Sequence, residues 1–166
     1  MAGSSQEWSV WLDQHGAALV LFARQFVPSR ADAEDIVQEA FVRFWRSRSR
    51  VSEPLAYLYS CVRRCALDSR RARRRRSRRE EAAARPESAS LFADPLEQSE
   101  RRTAIERALL GLSDEQREVL VMKIWGKLTF AQIAAALKIS PNTAASRYRY
   151  ALARLHTALA EEPIHD

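Results

Sequence analysis

Apolar residues recur along this chain three and four apart, and no segment shows the sustained alternation of a half-buried strand. Trp8, Trp11, Leu12, Leu19, Phe22 and Phe26 predict a first helix over about residues 7–26. Ile36, Val37, Ala40, Phe41, Phe44 and Trp45 predict a second, opened by Ser29 with Asp32 at the third helical position. A third helix opens at Pro54, behind Ser52 and Glu53, where the missing N–H of proline removes no helical hydrogen bond. Its buried stripe is Leu55, Leu58, Cys61, Val62, Cys65 and Ala66. It then runs into a stretch in which eight of the ten residues 70–79 are arginine. At about 1.5 Å per residue that helix reaches about 39 Å.

Residues 85–94 break the pattern with proline, serine and small residues, as a linker does, although Leu91 and Phe92 remain free to dock. Periodicity resumes after Pro95. Ser113 with Gln116, and Thr129 with Gln132, have the spacing of capping boxes, and Ser140-Pro141 opens a last helix. The expected fold is all-α: two small helical domains, residues 1–80 and 97–162, joined by a flexible linker at 81–96.

The second domain carries a motif with specific content. Thr129 to Leu137, a short turn and a helix from Ser140 make a helix-turn-helix. Ile133, Ala134 and Leu137 face Ala144, Tyr148, Ala151 and Leu155, while Asn142, Thr143, Ser146, Arg147 and Arg149 mark the opposite face of the last helix. Hydroxyls and a helix N-terminus suit phosphate, and arginine and asparagine read base edges in the major groove. The competing reading is a plain antiparallel helix pair. Lys138 stands in the turn where glycine is common; a left-handed backbone there costs about 1 kcal/mol.

Charge adds to this picture. The net charge is +6, and of 27 basic residues only Lys123, Lys127 and Lys138 are lysine. Arginine makes planar, bidentate contacts with phosphate and guanine, although a GC-rich genome also raises arginine content. No apolar run approaches the roughly 20 residues that span a bilayer, and the N-terminus lacks the basic and apolar regions of a signal peptide, so a cytoplasmic protein without membrane insertion is expected. Cys61 and Cys65 share a helix face as small hydrophobes. His15, His156 and His165 are scattered, so neither a metal site nor a cofactor is expected. No glycine-rich phosphate loop, His-Glu-x-x-His or nucleophile beside a base suggests an enzyme.

Taken together, "SRADAEDIVQEAFVRFWR" resembles region 2 of the extracytoplasmic-function (ECF) sigma factors of the sigma-70 family. "LAYLYSCVRRCALDSRR" resembles the helix that follows it, and "LLGLSDEQREVLVMKIWGKLTFAQIAAALKISPNTAASRYRYALARL" resembles region 4. The resemblance implies a protein that binds core RNA polymerase, directs it to promoters and helps melt the −10 element. It implies that the acidic face of the second helix, with Asp32, Glu34, Asp35, Gln38 and Glu39, docks on the coiled coil of the polymerase β′ clamp. The loop at residues 47–54 would capture a flipped −10 base, with Arg48, Arg50 and Ser52 beside it. Tyr57 and Tyr59 follow, as stacking platforms or as core, and Arg63, Arg64, Arg70 and Arg71 extend that DNA face. Arg64 stands where many members have asparagine.

In the last helix Thr143, Ser146 and Arg147 match the family's −35 contacts, and Asn142, Arg149 and Tyr150 join them as candidates. Ala145 and Tyr150 replace a common lysine and a common arginine. The family's region 4 also binds the polymerase β flap, and the family implies an anti-sigma factor as a further partner. The alternative is a helix-turn-helix regulator that binds DNA without polymerase. Such a regulator needs neither the acidic second helix nor the loop after it.

Overall fold

The computed structural model describes residues 2–79 and 100–161, all helices and short turns; the linker expected at residues 81–96 lies outside them. The chain divides into two units, residues 1–89 and 90–166.

The first unit is a three-helix bundle of α1 (Ala2–Arg24), α2 (Arg30–Ser47) and α3 (Pro54–Arg79). α2 packs against both neighbours. The first helix begins earlier than its apolar stripe and ends two residues sooner than expected. Gln25 and Phe26 donate backbone N–H groups to Phe22 and Ala23, a tightened turn, and Pro28 then forces the chain out of helix. The Ser29 hydroxyl accepts from the Asp32 N–H at 3.1 Å and caps α2 as its spacing predicts. Arg24, though charged, is buried; it donates to the Val27 carbonyl at 3.0 Å and closes the α1–α2 turn.

Aromatic rings fill the interior. Phe22, Phe41, Phe44, Leu58, Tyr59 and Val62 are fully enclosed. Trp8 meets Phe41 at 4.9 Å, Trp11 meets Phe44 at 5.1 Å, and Phe41 meets Phe44 edge-on at 5.8 Å between centroids. Rings at such separations stabilise by about 1 kcal/mol each beyond the area they bury. Cys61 and Cys65 are free and buried on α3, and burial pushes the Cys65 thiol up to about 11.

The second unit comprises α4 (Glu100–Leu110), α5 (Asp114–Ile124), α6 (Phe130–Leu137) and α7 (Pro141–Glu161). α7 is its spine and touches the other three. Both expected capping boxes form, Ser113 with Gln116 and Thr129 with Gln132. Lys138 adopts φ 56° and ends α6, donating its N–H to the Ala134 carbonyl; Ile139 donates to the same carbonyl at 3.1 Å. A second left-handed lysine, Lys127 at φ 57°, turns the chain between α5 and α6, one residue after Gly126. Arg117 is buried and staples the α4–α5 turn, donating to the carbonyls of Leu109 at 2.9 Å, Leu110 at 3.4 Å and Leu112 at 2.9 Å.

Candidate nucleic-acid interface

α7 begins on Ser140, whose hydroxyl accepts from the Thr143 N–H at 3.1 Å and lies 2.8 Å from the Thr143 hydroxyl. That cap fixes the first turn and holds Thr143 half-buried. Asn142, Ser146, Arg149 and Tyr150 follow at helical spacing, which puts them on one stripe. Asn142, Arg149 and Tyr150 are exposed, and Tyr150, at 60%, is the most exposed large apolar residue described. Opposite them Ala144 and Ala151 are buried, and Tyr148 packs on Phe130 at 5.6 Å. Lys123 lies over that Phe130 ring at 4.4 Å. This polar stripe is therefore the face that the core leaves over.

Arg147 is set apart. Its side chain is 27% exposed and its Nη2 lies 3.7 Å from Glu115 Oε2, on the first turn of α5. A carboxylate beside an arginine limits its rotamers and lowers the positive potential around it. Glu115 had no signal in the sequence, because the pair joins residues far apart in the chain. The same holds for a groove of about 480 Å³ between α4 and α7, lined by Ala104, Ala108, Leu112, Ala153 and Ala158 with Arg107 and Arg154 at its edge.

On α2, Glu34, Asp35, Gln38 and Glu39 are exposed, and Val42 beside them is 43% exposed. Glu34 and Glu39 form exposed i,i+4 pairs with Arg30 and Arg43 at 2.7 and 2.6 Å. On α3 and the loop before it, Arg50, Ser52, Arg64 and Arg71 are exposed, whereas Tyr57, Arg63 and Arg70 are half-buried. Arg70 lies 5.6 Å over the Phe26 ring and Arg71 lies 3.7 Å from Asp68.

Of the expected contact residues, Tyr59 is enclosed, and Asp32 and Arg48 are engaged within their own unit. Tyr59 is 1% exposed, edge-on to Phe22 at 5.3 Å, so it is core and not a platform for a base. Desolvation pushes its phenol above the ordinary range. Asp32 is half-buried and paired within its own unit: it accepts from the Ser29 hydroxyl at 2.6 Å and from Arg73 at 3.0 Å. The Ser29 hydrogen bond first, then the Arg73 charge, hold its carboxyl below the usual value against a burial that raises it. Arg48 folds back onto Trp45, its guanidinium 3.5 Å from the ring centroid.

Residues 11–76 match Sigma-70 region 2, and residues 102–155 match Sigma-70, region 4. The ECF RNA polymerase sigma factor SigL of Mycobacterium tuberculosis is 31% identical over 155 residues, covering 90% of this chain and 86% of that protein. The chain belongs to the ECF RNA polymerase sigma factors. The RNA polymerase sigma-E factor of Streptomyces coelicolor is 31% identical over 158 residues, 95% of this sigma factor and 88% of that one. The fold is that of RpoE from Bartonella quintana, solved with the anti-sigma factor NepR: TM-score 0.77, 22% identity, 98% of this chain and 100% of that one. CnrH, solved with the cytosolic domain of CnrY, gives a TM-score of 0.67 at 23% identity, covering 98% of this chain and 93% of that one. Among the described residues of this sigma factor no helix is long and apolar enough to cross a membrane.

Proposed function

We propose that the two units divide promoter recognition between them while both hold core polymerase. In this reading α7 lies in the major groove of the −35 element. Asn142, Ser146, Arg149 and Tyr150 meet base edges or phosphates, Thr143 supports the first turn, and Arg147 approaches under the hold of Glu115. The −10 element meets the loop and basic side of the first unit through Arg50, Ser52, Tyr57, Arg63, Arg64, Arg70 and Arg71. Glu34, Asp35, Gln38 and Glu39, around the exposed Val42, are the surface for the β′ clamp. The α4–α7 groove, lined by alanines, Leu112 and two arginines, is the seat for the β flap.

The observation that carries this reading is the pairing, in one chain, of an outward acidic face on α2 with polar and basic faces on α3 and α7. A regulator working on DNA alone has no use for the first. The work is recognition and strand capture rather than catalysis, performed in the cytoplasm with the polymerase. Two tethered units bind weakly alone and become bivalent once polymerase fixes their separation. An anti-sigma factor that occupies the same surfaces is the natural antagonist; RpoE of Bartonella quintana was solved with one, NepR.

Reconstitution with core polymerase tests the proposal. Run-off transcription from a genomic library is expected to yield a limited set of start sites sharing two elements. Failure of the chain to bind core polymerase would refute it.

A further inference from the structure

The loop assigned above to the −10 element starts from a cluster that lies partly outside region 2. Glu7 and Trp8 precede residue 11, where the region 2 match begins. Trp8 packs against Phe41 at 4.9 Å and edge-on against Trp45 at 5.1 Å. Trp45 in turn is the surface on which the Arg48 guanidinium lies, 3.5 Å from the ring centroid. Arg48 Nη1 donates to the Trp45 carbonyl at 2.8 Å, and Nη2 donates to Glu7 Oε2 at 3.3 Å. One planar cation thus satisfies a carbonyl in the last turn of α2, covers an indole, and reaches α1 across 41 residues of chain.

Arg48 is also the first residue of the one-turn 3-10 helix Arg48–Arg50, and its carbonyl accepts from the Val51 N–H at 3.5 Å. Holding Arg48 therefore sets the direction in which Arg50 and Ser52, both exposed, leave the bundle. Resting on the −10 reading of this loop, we infer that Glu7, Trp8, Trp45 and Arg48 form a clasp that positions the loop for base capture. Arg48 is then a positioning residue, and the first turns of α1 belong to the promoter-opening apparatus. A loop ordered before the base arrives surrenders little conformational freedom on binding. The planar fork of arginine is needed because stacking and two donations occur at once, which an ammonium cannot reproduce.

The test uses the full chain with core polymerase and a promoter carrying a fluorescent base analogue in the −10 element. Arg48→Lys keeps the charge but loses the stacking, and Glu7→Ala removes the outer hold. Arg48→Lys is expected to slow opening about tenfold and Glu7→Ala about threefold, with binding to a −35 duplex and to core unchanged. In the double variant Glu7→Ala adds little to Arg48→Lys, because the hold is already gone.

Full opening by both single variants would overturn the clasp, as would an Arg48→Ala defect that lysine restores. Arg50→Ala separates this failure from failure of the −10 assignment. If Arg50→Ala impairs opening and Arg48→Lys does not, only the clasp is wrong. If neither affects opening, the loop itself is misassigned and the clasp falls with it. Should Arg48→Lys lower the melting temperature, Trp8→Phe, which keeps a ring against Phe41 but shrinks the contact with Trp45, is expected to slow opening with unchanged melting; normal opening overturns the clasp.

Discussion

In the first unit many charged side chains are bound to one another: Asp32 to Arg73, Arg48 to Glu7, Glu39 to Arg43, Glu34 to Arg30 and Asp68 to Arg71. In the second, order comes from backbone caps at Ser113, Thr129 and Ser140 and from the buried Arg117, and most of the polar stripe on α7 points outward. The difference matters for reading charge as function. Along α3 a count of arginines overstates the number available to DNA, because Arg73 already braces the start of α2 and Arg70 lies over Phe26. Arg74, Arg75, Arg76, Arg78 and Arg79 are all exposed. Local capping engages few charges, so α7 leaves its polar face intact.

The sharpest way to separate the units is through their cores. Phe44 is fully enclosed by rings, and Phe44→Ala is expected to destabilise the first unit by about 3–5 kcal/mol in chemical denaturation. Arg117→Ala strands the carbonyls of Leu109 and Leu112 and is expected to cost about 3 kcal/mol. Replacing Arg74, Arg75 and Arg76 by glutamine should weaken binding alike for all DNA sequences. It should lower the slope of affinity against salt by up to about 3, read by titration at several ionic strengths. Altered promoter choice would instead make those residues sequence readers. The smallest effect belongs to the turn of the second unit: Lys138→Gly should stabilise it by about 0.5–1 kcal/mol, since the backbone there is left-handed.

Much of this was legible in the chain itself. The caps at Ser29, Ser113, Thr129 and Ser140 act through residues three positions away, and spacing of that kind survives in sequence. The strain at Lys138 was legible because it sits between two capped helices; Lys127 was not, because Gly126 stands where a left-handed residue is usually sought. Long-range pairs left no trace. Asp32 and Arg73 are 41 residues apart, as are Glu7 and Arg48, and neither helical spacing nor composition joins them. Tyr57 and Tyr59 look alike in sequence, yet a turn of two positions on α3 leaves one half-buried near Phe44 and sends the other into the core. Arg117 reads as a surface arginine until the carbonyls it serves are seen.

Division of labour between the units is tested most directly by selecting randomised promoters with polymerase carrying either the wild-type chain or Arg147→Ala. The account predicts that Arg147→Ala weakens selection by about 1–3 kcal/mol at positions of the −35 element only, with −10 preferences unchanged. Unchanged −35 preferences, or equal losses at both elements, would contradict it.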